Sequence, residues 1–152
     1  MSSEVTNINE RKIVLPTWLD TLIFNDLSAN YCRQNKDMVV LEWNFDDIKK
    51  YLGTYFPRSY AESFCIFSNF FSKEKYVYEN CQELSIFDFG CGTGGELIGF
   101  IIAVTKQLPN IKKITIRALD GNSYALKCLE CILEKTAQVL CLDIESKLIP
   151  VI

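Results

Sequence analysis

Apolar residues in the first half of the chain recur at the spacing of amphipathic helices. The pattern predicts a first helix over residues 17–35 and a second, short helix over residues 44–51, with Asn44 as its N-cap. Pro57 separates this from a third, aromatic helix, which is predicted from the capping-box sequence Ser59-Tyr60-Ala61-Glu62 to about Lys73. Residues 1–80 are therefore expected to form a helical amino-terminal extension.

The second half of the chain alternates short apolar runs with longer helical patterns. The predicted elements are strand 84–89, helix 96–107, strand 113–119 and helix 123–135. Two segments are candidates for a third strand, residues 137–142 and residues 147–152, and the first of them can instead continue the helix. This order predicts an α/β fold with a partly parallel sheet of about three strands, in which residues 81–152 form a βαβαβ unit.

The composition excludes several classes of protein. The 152 residues are 49% hydrophobic and 23% charged, as in a soluble globular domain, and the formal net charge is −3. No basic cluster is present, which argues against a duplex nucleic acid as partner. The apolar run over residues 97–104 is far shorter than the ~20 residues needed to span a bilayer. Because no targeting signal is visible either, a cytoplasmic protein without membrane association is expected.

Histidine is absent, whereas seven cysteines are present. The absence of histidine excludes Ser-His and Cys-His nucleophilic systems and histidine-based metal sites. Most of the cysteines lie in apolar or glycine-rich stretches, where a reduced thiol behaves as a small hydrophobic group. Cys128 and Cys131 form a C-x-x-C pair, but their helical spacing on an apolar segment favours core packing over a redox or zinc site. No metal site is predicted.

The most informative segment follows the first predicted strand and reads Asp88-Phe89-Gly90-Cys91-Gly92-Thr93-Gly94-Gly95. Glycines between a buried strand and a helix permit a tight turn with positive φ and let the backbone approach a ligand closely. The free N–H groups of the following helix then face that ligand. The alternative is a tight turn that binds no ligand. Four glycines in six residues would then destabilise the fold without a compensating function.

Two cofactor patterns overlap in this loop. Gly90, Gly92 and Gly95 satisfy the dinucleotide pattern G-x-G-x-x-G, whereas Asp88, Gly90, Gly92 and Gly94 satisfy D/E-x-G-x-G-x-G. A carboxylate at Asp88 would repel the pyrophosphate of a dinucleotide. It suits a ligand with a cationic amino group and a sulfonium, which describes S-adenosylmethionine.

Asp120 ends the second predicted strand and is followed by Gly121. A carboxylate in this position can accept hydrogen bonds from both hydroxyl groups of a ribose, and a glycine beside it leaves room for adenine. This supports an adenosine-containing ligand, but it does not separate the two cofactor classes. The alternative interpretation of Asp120 is a simple Asp-Gly turn.

Residues 87–95 closely resemble the glycine signature of class I S-adenosylmethionine-dependent methyltransferases, and the resemblance extends over residues 84–135. It implies a Rossmann-like fold, bound S-adenosyl-L-methionine, and methyl transfer to a small molecule, a protein or an RNA. It also implies that Asp88 orients the methionine amino group and that Asp120 holds the ribose. The predicted cofactor-binding residues are Asp88, Gly90, Cys91, Gly92, Gly94, Asp120 and Gly121; no catalytic residue is predicted.

Two alternatives stay open. The family fold has seven strands, whereas this chain supplies about three, so the chain can instead be a non-catalytic module that binds the cofactor or a partner. Its sheet would then be completed by a second copy, a separate chain or a further carboxy-terminal segment, since one side of the strand at residues 84–89 would otherwise be unpaired. The lesser alternative is an oxidoreductase that binds NAD or FAD through G-x-G-x-x-G.

The aromatic helix before the first strand offers further candidates. In many methyltransferases such a helix lies over the cofactor, so Arg58, Tyr60 and Glu62 could line a site; a capped surface turn is the simpler interpretation. The phenylalanines of this helix favour core packing over a substrate cage. They are Phe64, Phe67, Phe70 and Phe71.

Overall fold

The computed structural model describes residues 12–33 and 44–151. Helix α1 (Thr17–Thr21) continues directly into a π-helical segment (Leu22–Asp26). The remaining elements are α2 (Phe45–Tyr78), β1 (Glu83–Phe89), α3 (Gly95–Gln107), β2 (Lys113–Asp120), α4 (Ser123–Leu140) and β3 (Asp143–Pro150). The expectation of an α/β fold with about three strands is confirmed. The division near residue 80 into two parts stays a prediction.

The first helix is shorter than its apolar pattern predicted. It ends at Asp26 rather than near residue 35, and residues 34 and 35 lie outside the described part of the chain. Ser28 has a φ of 54°, a left-handed conformation that a helix does not contain. The next segment bonds to a distant helix instead, because the Asn30 N–H donates to the Lys49 carbonyl oxygen at 3.0 Å.

Two predicted helices are one continuous helix, α2, so the predicted break at Pro57 is wrong. Asn44 is the N-cap as expected: its side chain accepts from the Asp47 N–H at 2.9 Å, and the Asp47 carboxylate accepts from the Asn44 N–H at 3.2 Å. The capping box at residues 59–62 is also wrong, because these residues lie in the helix interior. Burial of side chains on both sides of the proline, such as Phe56 and Tyr60, outweighs the backbone hydrogen bond that proline removes.

The three strands form one parallel sheet in the order β1-β2-β3. Of the two candidates for the third strand, residues 137–142 are wrong, because α4 continues to Leu140 and Cys141 ends it in a left-handed conformation with φ 53°. The second candidate overlaps the observed strand at residues 147–150. That strand begins at Asp143, where the side chains are too polar to show an apolar pattern.

The core lies on one face of this sheet. Ile114, Ile116 and Ala118 of β2 are fully buried, and they belong to the same core as the inner residues of α3 and α4. Both crossovers run in the same direction across the sheet, so right-handed connections place α3 and α4 on this face. On the opposite face, here called the open face, Phe87 and Arg117 are exposed.

Helix α2 packs against α3 at very short distance through two glycines spaced four residues apart. A Cβ atom added to Gly95 would lie 2.8 Å from the Phe56 carbonyl oxygen, and one added to Gly99 would lie 2.5 Å from the Tyr60 carbonyl oxygen. Only glycine permits these backbones to approach so closely. The aromatic side chains of α2 fill the rest of the contact, with Phe67 packed edge-on against Phe100 at 4.6 Å between ring centroids.

The aromatic residues of α2 divide between core and surface. Phe64 and Phe71 are buried and Phe67 packs against the core, as predicted, whereas Phe70 is 43% exposed. Across residues 12–33 and 44–151, no helix is sufficiently long and apolar to traverse a bilayer.

Candidate functional site

The glycine loop connects the end of β1 to the start of α3. Gly90, Gly92 and Gly94 have φ values of 75°, 53° and 86°, a region that glycine adopts without strain. Gly94 is the N-cap of α3, so the free N–H groups at the start of this helix face the same edge of the sheet as the loop. The loop therefore has the backbone geometry that the glycine spacing predicted.

Strand β2 holds the loop in place. The Leu119 carbonyl oxygen accepts from the N–H groups of Gly90 and Cys91, at 2.8 and 3.1 Å. One oxygen of the Asp120 carboxylate accepts from the Gly92 N–H and the other from the Asn122 N–H, both at 2.8 Å. Asp120 is thus a brace for the loop, with lone pairs left for further donors, because a carboxylate can accept about four hydrogen bonds.

A small polar pocket of about 90 Å³ lies beside the loop. Four of the predicted residues, Asp88, Gly90, Cys91 and Gly94, line it. Gly92 and Asp120 are held next to it through the bonds of the loop, whereas Gly121 is exposed near the end of β3 and does not line it. The structure therefore brings most of the predicted residues together.

The helix before the first strand forms the far wall of the pocket, but with other residues than the sequence suggested. Tyr51, Tyr55 and Ser59 of α2 line the pocket, and the rings of the two tyrosines stack at 5.0 Å. A Cβ atom on Gly92 would lie 3.0 Å from the Tyr51 hydroxyl oxygen, a tight contact, and the φ of 53° at this position favours glycine in any case. Tyr60, in contrast, is fully buried in the core.

Arg58 and Glu62 form an exposed ion pair at 3.1 Å, with 71% and 57% of their side chains accessible. Such a pair contributes little to stability. Glu62 also lines an open groove of about 520 Å³ between α2 and β1, which adjoins the pocket because Asp88 and Glu96 border both. Glu96 was not selected from the sequence as a site residue. The signal was its position, because it comes directly after the glycine loop, in the first turn of α3.

Three carboxylates, those of Asp88, Glu96 and Asp120, give the site its negative charge. The pKa of Asp88 is raised from its ordinary value, mainly because burial disfavours the charged form, and further because Glu96 and Asp120 repel it. Within residues 12–33 and 44–151, none of the three forms an ion pair, and no group of His, Cys, Asp and Glu is placed to hold a metal ion. The described site is therefore acidic, with Asp88 partly buried among like charges.

The Cys91 thiol is kept protonated. Burial, followed by the charges of Asp88 and Asp120, raises its pKa to about 12. At pH 8 we expect Cys91 to react with iodoacetamide far more slowly than Cys65, which is exposed on α2. A time course of alkylation read by mass spectrometry measures both thiols in one sample. Equal rates for the two would contradict the described environment of Cys91.

The chain matches no protein-family model and no curated protein sequence.

Proposed function

We propose that this chain binds S-adenosylmethionine at the glycine loop and has the Rossmann-like fold and activity of a class I methyltransferase. One observation carries the proposal. The loop that joins a parallel strand to a helix contains three glycines in the left-handed backbone conformation, and three carboxylates lie beside it. The loop offers close backbone approach, and the carboxylates favour a ligand with positive charge. S-adenosylmethionine combines an adenosine with an ammonium and a sulfonium, so it satisfies both requirements.

Each residue of the site has a proposed part in holding this ligand. Asp88 accepts hydrogen bonds from the methionine ammonium, while Gly90, Cys91, Gly92 and Gly94 present backbone to the methionine and ribose. The pocket of about 90 Å³ encloses only one end of such a ligand, because sites for drug-sized ligands begin at ~300 Å³. We place the amino-acid end there.

The ribose and the sulfonium have their own proposed partners. Asp120 accepts from the ribose hydroxyls with the lone pairs that its two backbone bonds leave, and Gly121 leaves space beside the adenine. Tyr51 and Tyr55 present aromatic surface next to the same charged site, which favours a cation further.

In such a reaction the protein mainly positions the cofactor relative to the methyl acceptor. When bound, S-adenosylmethionine supplies an activated methyl group on a positive sulfur. The carboxylates hold the ligand's charged end, and the rigid loop fixes its orientation relative to the adjoining groove, where an acceptor has access. Cys91 does not act as a nucleophile, since its thiol stays protonated.

Calorimetric titration of the intact chain tests the proposal. We expect S-adenosylmethionine and its demethylated product to bind with one site per chain, because the ammonium and the adenosine are present in both. NAD should not bind, because its pyrophosphate would face Asp88 and Glu96. Binding of NAD alone would favour the oxidoreductase alternative, and binding of none of the three would overturn a cofactor role for the loop.

A second function is favoured by one further observation: no strand of the described residues pairs with the outer side of β1. A module that binds the cofactor or a partner without catalysis would use the same loop but expose this edge for assembly. Methyl transfer separates the two functions. A chain that binds S-adenosylmethionine and forms none of its demethylated product with any amine, protein or RNA acceptor supplied would be such a module.

A further inference from the structure

The groove of about 520 Å³ between α2 and β1 has its two ends fixed by the directions of three elements. Strand β1 ends at the glycine loop and α3 begins there, so α3 runs back along β1. Helix α2 passes the loop at Ser59, which lines the pocket there. It then runs alongside α3, since Gly95 lies against Phe56 and the next contact, at Gly99, is one turn further along both helices. The position of a residue along its element therefore tells which end of the groove it lines.

Each of the three elements contributes one carboxylate at the end of the groove next to the loop. These are Glu62 of α2, Asp88 of β1 and Glu96 of α3. Glu62 forms an ion pair with Arg58, whereas neither Asp88 nor Glu96 has an ion-pair partner among the described residues. The loop end of the groove therefore carries a net negative charge.

The other end of the groove is lined by apolar side chains. They are Ile66 and Phe67 of α2, Leu84 and Ile86 of β1, and Phe100 of α3. Ile66 is 62% exposed and the others are partly buried, so each has surface that a ligand can cover. The volume of the groove lies within the range of ~300–1,000 Å³ that is typical of sites for drug-sized ligands.

Charge and burial together decide which ligand suits both ends. A ligand with a carboxylate or a phosphate would be repelled at the loop end. A neutral apolar ligand would displace water from Asp88 and Glu96 without replacing its hydrogen bonds, which is costly. An ammonium group brings a positive charge and up to three donors. The groove is therefore complementary to a small amine whose nitrogen is attached to an apolar body.

We infer that the groove binds such a small-molecule amine, with its nitrogen beside Glu96 and its apolar body against Ile66, Leu84 and Phe100. Asp88 and Glu96 border both the groove and the pocket of the glycine loop, so the nitrogen lies next to the ligand of that loop. One part of the inference rests on the proposed function: with S-adenosylmethionine in the loop site, the amine is the methyl acceptor.

Methyl transfer to this amine balances without a further reactant. The ammonium first gives one proton to the Glu96 carboxylate, which is exposed and passes it to solvent. The nitrogen lone pair then forms the bond to the methyl carbon, and the bond from that carbon to sulfur breaks with its electron pair left on sulfur. The amine leaves as an N-methylammonium, beside a neutral thioether.

Methyl NMR of the intact, unliganded chain tests where an amine binds. The ligands are phenylbutylamine and the uncharged phenylbutanol, which has the same apolar body. We expect the amine to shift the methyl signals of Ile66, Leu84 and Ile86 and to leave Leu148, which lines a separate groove beside α4, unchanged. At pH 7 the amine should bind at least about fivefold more tightly than the alcohol, because hydrogen bonds to charged groups are the stronger ones.

Two variants separate the charge of the groove from its apolar surface. Glu96→Gln should weaken binding of the amine about fivefold and leave that of the alcohol unchanged. Ile66→Asn should weaken both ligands equally. The matched controls, Glu130→Gln and Val77→Asn, change an exposed glutamate and an exposed aliphatic residue outside the groove, so they should alter neither affinity. All four replaced side chains are exposed, and the fold is expected to tolerate each change.

The acceptor role is tested by adding the demethylated product of S-adenosylmethionine to the amine complex. Both ligands should bind at once, with the methyl shifts of the groove kept; competition between them would overturn the acceptor role. The amine site itself would be overturned by equal affinity for amine and alcohol, by unchanged amine affinity in Glu96→Gln, or by shifts outside the groove. If the amine binds as expected and S-adenosylmethionine does not, the proposed function fails while the amine site stands.

Discussion

Replacing Gly99 with alanine is expected to destabilise the protein by about 1–3 kcal/mol, although alanine is the better helix former. The added Cβ would lie 2.5 Å from the Tyr60 carbonyl oxygen and 3.1 Å from the Phe64 backbone nitrogen. Both are backbone atoms of α2, so relief requires the two helices to move apart. That movement would loosen the largest apolar contact of α2, and urea unfolding followed by circular dichroism measures the loss.

Gly121→Ala is the control for this prediction. Gly121 has no left-handed φ, and its added Cβ would lie 3.5 Å from the Val151 carbonyl oxygen, an ordinary van der Waals distance. Its stability should stay within about 0.5 kcal/mol of the wild type. If Gly99→Ala were as stable as Gly121→Ala, the close contact between α2 and α3 would be wrong.

Replacing Asp88 with asparagine is expected to weaken ligand binding and, at the same time, to stabilise the unliganded protein. The change removes the carboxylate that we propose to hold the ligand ammonium. S-adenosylmethionine should therefore bind about ten- to a hundredfold more weakly, which corresponds to roughly 1.4–2.8 kcal/mol. The unliganded protein should at the same time melt at a higher temperature at pH 7, because a charge that is disfavoured in the folded state has been removed.

The pH dependence of that stability gain follows from the raised pKa of Asp88. A carboxyl whose pKa is higher in the folded state binds its proton more readily there, so wild-type stability falls as pH rises through this range. The advantage of Asp88→Asn should be fully present above the raised pKa and should vanish below the ordinary value of 3.8. Differential scanning calorimetry at several pH values measures it.

Glu134→Gln is the matched control, because Glu134 is an exposed carboxylate on α4, remote from the loop. It should change neither binding nor the pH profile. Unchanged binding of S-adenosylmethionine by Asp88→Asn would remove Asp88 from the proposed site. A lower melting temperature at pH 7 would contradict the raised pKa of Asp88, which burial and then repulsion by Glu96 and Asp120 cause.

The sequence allowed prediction of the parts of the fold that local patterns determine. The strands β1 and β2, the N-cap at Asn44 and the turn at the glycine loop all follow from residues close together in the chain. The start of β3 could not be predicted in this way, because Asp143 and Glu145 are exposed and carry no apolar period. The unbroken α2 was also missed, since the packing that supports its proline comes from α3.

The candidate site shows the same limit. Asp88 and the glycines lie in one short segment, so their proximity was predictable. Tyr51 and Tyr55 reach the pocket only because Gly95 and Gly99 bring α2 against α3, a contact between distant segments that no local pattern encodes. For the same reason the sequence suggested Tyr60, which is on the same helix but points into the core.

The bonds that Leu119 and Asp120 make to the glycine loop have a consequence for how fast and how tightly a ligand can bind. Fixing the backbone of a flexible residue costs about 1–2 kcal/mol of conformational entropy, and glycine has the most freedom to lose. Here the loop is already ordered by the end of β2 when the chain folds. The ligand that we propose would therefore meet a preformed loop, and we expect its association to require no rearrangement of that loop.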